Sequence, residues 1–197
     1  MITYWFPIGI YHSFYPYHDS LKKELLKLYP KKDYSSSGEI EGWPFWTKSI
    51  QKGFQNPLLK DSPILCDFSN WVELEVDDFS RSYGSIKNYQ IQQCWMNYYE
   101  KGDFQEPHIH PGFDFSAIYY VSVPEKSGRL VFENPNSIFE MRPIRVDKDT
   151  DLNCTAAIYQ PLEGQLVVFR SNLRHGVYPH NNTEPRISLA FNLNEKL

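Results

Sequence analysis

Three cysteines in 197 residues, Cys66, Cys94 and Cys154, are too few and too irregularly spaced for a disulfide framework or a thiolate zinc site. A reducing, cytoplasmic setting is the expectation. Excess charge is lacking too. The formal net charge is -4 and no basic stripe is present, which argues against a nucleic-acid partner held through its phosphates. Lys22, Lys23 and Lys27 cluster in an amphipathic stretch, where a solvated helix face accounts for them. No apolar run is long enough to cross a bilayer, so no membrane partner is expected. The opening MITYWFPIGIYHSFYP has no basic residue ahead of an apolar core and is broken by Pro7 and Pro16, so it is not expected to be a signal peptide. Neither an internal repeat nor a low-complexity tract is visible.

Aromatic residues are abundant instead. They make up 16% of the chain, with 14 Tyr and 13 Phe, and together with 14 Pro among short apolar runs they favour strands around a partly polar cavity over a lean helical bundle. The length suits one domain. Ser20 can cap a helix over 21–29, where Leu21, Leu25 and Leu28 recur at helical spacing and Pro30 closes the run. Residues 31–61 read as a loop with packed aromatics, Trp43, Phe45 and Trp46, and no readable role. A second helix is better marked, with Ser62 as cap, Pro63 at its first position, a stripe of Phe68, Val72, Val76, Phe79 and Tyr83, and Gly84 as the stop.

From Ile86 onward the pattern changes to short strands at 86–99, 115–123, 128–132, 165–170 and 185–193, divided by Gly, Pro and Asn turns. A closed or sandwiched antiparallel sheet follows. Between them, 133–163 is the least regular part, with 138–141 and 155–159 as candidate edge strands. Insertions of this kind often line a binding mouth.

The chemistry-bearing residues gather in this strand-rich half. His108 and His110 sit one residue apart in Glu106-Pro-His-Ile-His-Pro111, and alternation along an extended chain puts both imidazoles on one side. His175 follows the apolar strand 165–169 at a strand-to-turn junction and is the natural third ligand for a metal ion. Neutral imidazoles suit iron and other first-row ions, and three on one face leave positions open for substrate, cofactor or dioxygen. Downstream, Arg186 and Ser188 share a strand face, and a guanidinium fork beside a hydroxyl suits a carboxylate. Ser116, Ile118 and Tyr120 likewise share a face, so Tyr120 can donate to the same carboxylate while Tyr119 points away.

Three segments resemble the 2-oxoglutarate- and iron(II)-dependent dioxygenases. Asn97-x-Tyr99-x-x-Gly102-x5-His108-x-His110 is similar to the lead-in to the first metal ligands in the alkylation-repair branch. Ser116-Ala-Ile-Tyr-Tyr-Val121 with Gly128-Arg-Leu-Val-Phe132 is similar to central strands of the prolyl-hydroxylase-like branch. Gly164 to Phe169, His175 and Arg186-Ile-Ser188 resemble the closing ligand and the cosubstrate clamp. The likeness is nearest to small oxygenases of bacteria and phages with a His-x-His-Pro segment before a Ser-x-x-Tyr-Tyr strand.

This resemblance implies a mainly β fold with flanking helices, a double-stranded β-helix or jelly roll. It implies one oxygenase domain over 1–197, in which 1–85 back the barrel and 86–195 form its core. Iron(II) would be held by His108, His110 and His175, and 2-oxoglutarate would reach Arg186, Tyr120 and Ser188 with its far carboxylate and approach Asn97 or Tyr99 with its C1 end. Dioxygen and a small-molecule or peptide substrate would be the remaining partners, with hydroxylation coupled to release of succinate and carbon dioxide.

One departure stands out. The family's usual triad has an acidic residue where His110 stands, and the change raises the charge of the metal site by one unit. Asp114 is the best substitute carboxylate, with Asp103 and Glu106 behind it. Two alternatives remain open at this point: a three-histidine dioxygenase of cupin type that does not use 2-oxoglutarate, and a catalytically silent metal-binding jelly roll.

Overall fold

The computed structural model of the protein describes residues 3, 7–30, 35–36, 48–51, 62–136, 145, 147–148, 150 and 153–197. Its elements follow in chain order: β1 (Ile10–Phe14), α1 (His18–Leu28), β2 (Ser35–Ser36), β3 (Lys48–Gln51), α2 (Pro63–Arg81), β4 (Tyr89–Tyr99), β5 (Gln105–His108), β6 (Phe115–Ser122), β7 (Leu130–Glu133), β8 (Ala156–Tyr159), β9 (Gln165–Arg170), β10 (His175–Val177) and β11 (Arg186–Glu195). They form two antiparallel sheets, one in the order β1-β9-β6-β11-β4-β3-β2 and a smaller one in the order β5-β10-β7-β8.

Strand alternation divides the interior in two. On β6, Phe115, Ala117, Tyr119 and Val121 join the core beneath the helices, while Ile118 and Tyr120 join a second cluster with Leu130, Phe132, Val167 and Phe169 from strands of both sheets and Leu173 from the turn after β9. Tyr119 and Tyr120 therefore face opposite ways, as the sequence parity requires. On β11 the same alternation sends Ile187, Leu189, Phe191 and Leu193 into the helix-side core. Arg186, Ser188 and Ala190 line an internal cavity instead.

Helix α2 closes the helix-side core. Ser62 caps it by accepting from Leu65 N–H, Pro63 opens it, and Phe68, Val72 and Val76 are fully buried against the sheet. Phe68 packs at 4.6 Å from the ring of Tyr119. The expected stripe stops short at its last member: Tyr83 lies beyond the helix end and is 48% exposed.

Helix α1 also differs from expectation. It starts at His18, a turn ahead of the predicted position, with Tyr17 rather than Ser20 at the N-cap and no side-chain cap. Tertiary contacts hold that early turn: His18 Nδ1 lies 2.7 Å from the Tyr119 hydroxyl, and Lys22 reaches Glu163 at 2.6 Å. No described helix is long and apolar enough to cross a membrane.

Among the strands, β4, β6, β7, β9 and β11 lie where the hydrophobic pattern puts them, and β8 is the edge strand expected near 155–159. The candidate strand at 138–141, and Trp43, Phe45 and Trp46, fall outside the described residues. Five short elements among the described residues went unread: β1, β2, β3, β5 and β10. Strand β1 pairs with β9 at the sheet edge, where Phe14 is 52% exposed, so it shows no strong apolar alternation.

The two ends of β7 and β10 meet without slack. A Cβ added at Gly128 would sit 2.2 Å from the Tyr178 carbonyl oxygen, while Tyr178 N–H donates to Arg129 O. Gly128→Ala must therefore move backbone. It is expected to cost about 1–3 kcal/mol or more, as other overpacking does, and a thermal unfolding midpoint unchanged within a degree would contradict this packing.

Candidate active site

Two sheets facing each other place three imidazoles at one end of the cavity. His108 ends β5, His110 follows two residues later, and His175 opens β10 directly across from His108 in the strand register. His110 is fixed by its backbone, whose N–H donates to Ser171 O at 2.9 Å. One ring nitrogen from each of the three falls within 4.8 Å of the others. The ring centroids are 4.5, 4.9 and 5.2 Å apart.

Backbone carbonyls set two of the tautomers. His108 Nδ1 donates to Glu106 O at 2.7 Å and His175 Nδ1 to Leu173 O at 2.9 Å. A carbonyl only accepts, so each Nδ1 carries hydrogen and each Nε2 keeps a free lone pair. His110 differs: its Nδ1 faces the Asn192 carboxamide at 3.4 Å, with Trp95 beside the ring.

Burial keeps all three rings neutral. It lowers the His108 pKa and, together with the repulsion of a neighbouring imidazolium, takes His110 down to about 4 and His175 to about 3. Because the folded pKa values lie below the unfolded value, this contribution to stability is complete above pH ~6.5 and is lost as the pH falls toward the folded values. Each such histidine adds up to about 1.4 kcal/mol of destabilisation per pH unit in that window. The metal-free protein should therefore have a clearly lower urea midpoint at pH 5 than at pH 7.5, with a shallower loss in His175→Gln. Equal midpoints at the two pH values would contradict it.

The other end of the cavity holds a cation. Arg186 is fully buried, opposite Tyr99 in the β11–β4 register, with its guanidinium carbon 4.5 Å from the Tyr99 ring centre and 5.1 Å from that of Tyr120. Two of its nitrogens, Nε and Nη1, have no hydrogen-bond partner among the described residues, and neither does the buried Tyr120 hydroxyl. Burial raises the pKa values of Tyr99 and Tyr120, with Arg186 opposing, so both phenols stay protonated. Ser188 lies across from both Asn97 and Tyr120, and Asn97, Tyr99, Arg186 and Ser188 line the same cavity as the three histidines.

Two of the three carboxylates considered as substitutes for an acidic ligand, Asp114 and Asp103, are engaged elsewhere. Asp114 Oδ2 accepts from Glu195 N–H at 3.1 Å, and Asp103 Oδ2 accepts from Glu100 N–H at 2.7 Å. Among the described residues, the three histidines are the one group of metal-type side chains close enough to share an ion. Trp95 lines the cavity, as a mouth aromatic would.

Sequence reasoning missed a polar cluster behind His110. Asn192 Nδ2 donates to Gln93 Oε1 at 2.9 Å, Asn192 Oδ1 accepts from Ser116 Oγ at 2.8 Å, and Ser116 in turn meets Ser171 Oγ at 2.8 Å. Parity along β11 was the available signal, since Asn192 falls on the same strand face as Arg186 and Ser188. A larger cleft, about 450 Å³, lies among Lys126, Arg129, Gln160 and Tyr178, but it holds none of these groups. Convergent chemistry, not size, marks the site.

Comparison with known proteins agrees with this geometry. The sequence profile of the family described as "Putative 2OG-Fe(II) oxygenase" matches residues 93–192, just over half of the chain, from β4 to β11. No curated protein is similar enough to count as a match. Among solved structures, a 2OG-Fe(II) oxygenase family oxidoreductase from Burkholderia pseudomallei is similar at a TM-score of 0.63 with 16% identity, covering 94% of this chain and 84% of that one. A prolyl-4-hydroxylase from Pseudomonas putida is similar at a TM-score of 0.66 with 15% identity, covering 96% and 94%. HygX from Streptomyces hygroscopicus, solved with nickel and 2-oxoglutarate, is similar at a TM-score of 0.61 with 14% identity, covering 95% and 83%. The fold shared with these structures is the double-stranded β-helix.

Proposed function

The chain belongs to the 2OG-Fe(II) oxygenase family, and on that premise we propose that it is a hydroxylase in which His108, His110 and His175 hold the iron and Arg186 grips the cosubstrate. The enzyme is a 2-oxoglutarate-dependent oxygenase with iron(II) and 2-oxoglutarate as cofactors. Membership thereby selects against the cupin-type alternative. In such enzymes the bound iron and cosubstrate supply oxidative decarboxylation of 2-oxoglutarate to succinate and carbon dioxide, coupled to oxidation of the prime substrate.

The residues present fit both groups. Three neutral imidazoles with converging nitrogens are a donor set for a first-row divalent ion. The observation that carries the reading is Arg186, a buried cation with two nitrogens that lack partners among the described residues, at the other end of the same cavity. Leaving such a charge unpaired costs several kcal/mol, which an anionic ligand offsets.

In the proposed complex, Nε and Nη1 of Arg186 donate to one carboxylate of 2-oxoglutarate, and the Tyr120 and Ser188 hydroxyls add hydrogen bonds to it. Asn97 and Tyr99 lie beside that pocket and orient the remainder of the dicarboxylate toward the histidines. Their raised pKa values keep the Tyr99 and Tyr120 hydroxyls as donors. Phe169 packs 4.5 Å from the His175 ring and keeps that side of the metal site dry.

The prime substrate we propose is a small molecule or an exposed peptide side chain that enters past Trp95. We propose that residues 1–197 act as one catalytic domain, in a reducing cytoplasm. The test is succinate formation from 2-oxoglutarate by protein supplied with Fe(II) and ascorbate in air. A gain of one oxygen atom in a peptide or small-molecule panel would then identify hydroxylation. Absence of succinate under iron-replete conditions would reject the assignment of these residues.

A further inference from the structure

We infer that Asn192 is the positioning residue for His110, and that a metal ion bound there requires the Asn192 carboxamide to turn its oxygen toward His110 Nδ1. The inference rests on the metal site proposed above and concerns the side chain behind it.

His110 stands apart from its two partners in what holds its ring. His108 and His175 donate to backbone carbonyls, which cannot become donors, so their ligating nitrogens are free whenever the rings are neutral. His110 instead meets an amide, which can either donate or accept. As arranged here, Asn192 Nδ2 points at His110 Nδ1 from 3.4 Å, and a donor in that place requires Nδ1 to accept and Nε2 to carry the hydrogen. A histidine in that tautomer has no lone pair on Nε2 to give to a metal.

Every group behind Asn192 can reverse its role. The carboxamide is 1% exposed, so water does not substitute for its partners, and those partners are Gln93 Oε1, Ser116 Oγ and His110 Nδ1. Turning the Asn192 amide over places Oδ1 against His110 Nδ1–H. Gln93, also an amide, then presents its NH₂ to that oxygen, and Ser116 accepts from Asn192 Nδ2 while donating to Ser171 Oγ. No hydrogen bond is lost in the exchange. Two amides and two hydroxyls thus allow His110 to adopt the tautomer that its neighbours have by default. Outer partners of this kind tune metal affinity by about 10–100-fold.

Zn(II), which binds without redox chemistry, is the probe. Long-range ¹H–¹⁵N NMR of the histidine rings in wild-type protein loaded with Zn(II) should show Zn(II) on Nε2 of His110 and hydrogen on its Nδ1. Asn192→Leu should weaken Zn(II) binding by about 10–100-fold, and Asn192→Asp, whose carboxylate accepts, should restore it to within a few-fold of wild type. Coordination through His110 Nδ1 would overturn the inference while leaving the three-histidine site intact. So would an Asn192→Leu variant that folds and binds Zn(II) as tightly as wild type. Zn(II) that leaves all three rings unperturbed would instead remove the metal site itself, and the inference with it.

Discussion

Arg186→Met should abolish the response to 2-oxoglutarate and leave the ligand-free protein at least as stable as the wild type. Both halves follow from one circumstance. The guanidinium is fully buried, touches two tyrosine rings and has two nitrogens without partners among the described residues. Stacking on the rings returns about 0.5–2 kcal/mol, less than the several kcal/mol that burying an unpaired charge costs. A methionine of similar length removes that penalty and keeps most of the packing. With the anion present the balance reverses, because a desolvated charge pair that loses one partner forfeits about 2–5 kcal/mol. The corresponding loss of affinity is roughly 30- to several-thousand-fold. Thermal unfolding with and without 2-oxoglutarate checks both parts, since a ligand raises the midpoint only of a protein that binds it. A variant that is strongly destabilised and still shifted by the ligand would show that Arg186 serves the fold and not the cosubstrate.

His175→Ala should have the larger effect on metal. That ring is 4% exposed, fixed by Leu173 O and packed against Phe169, so no solvent-facing group can swing in to replace it. Loss of one of three ligands should lower Co(II) affinity by more than the ~10–100-fold that outer-shell changes produce. Asp114→Ala provides the contrast. Its carboxylate accepts from Glu195 N–H near the end of β11, so its removal should cost about 1 kcal/mol of stability and leave Co(II) titrations unchanged. The reverse outcome, with Asp114 controlling the metal, would displace His110 from the ligand set.

Where the sequence could be read, the reason was periodicity backed by burial. Helix α2 buries a side chain every third or fourth position, β4 about every second, and β6, β9 and β11 nearly all of theirs, and such patterns survive in the sequence because the core demands them. Tyr119 and Tyr120 were told apart by parity alone. The short elements left no such trace. Strand β5, Gln-Glu-Pro-His, is four mostly exposed or half-buried residues, and it is a strand because β10 offers it a partner. For the same reason His108 and His110 converge through tertiary bonding rather than along one strand, since His110 lies past the end of β5 and is held by Ser171 O. The start of α1 was misplaced because His18 is recruited by Tyr119, over a hundred positions away in the chain. Residue identity pointed to the histidines and Arg186. The Asn192 cluster stayed hidden because Gln, Asn and Ser are common surface residues, and only their burial together gives them meaning.

The position of β5 has a consequence for how the enzyme should lose its metal. Among the described residues it is the terminal strand of the small sheet, paired with β10 alone, and it carries His108 at its end, while the helix-side core lies behind the other sheet. Fraying of this margin would separate His108 from His175 without disturbing the bulk of the barrel, while His110 stays held by Ser171 O. Iron release should then be a local opening whose rate tracks amide exchange in Gln105–His108, far faster than global unfolding. Conversely, a bound ion clasps an otherwise loose border to the molecule's interior, so apo and metal-loaded protein should differ in exchange mainly along that border.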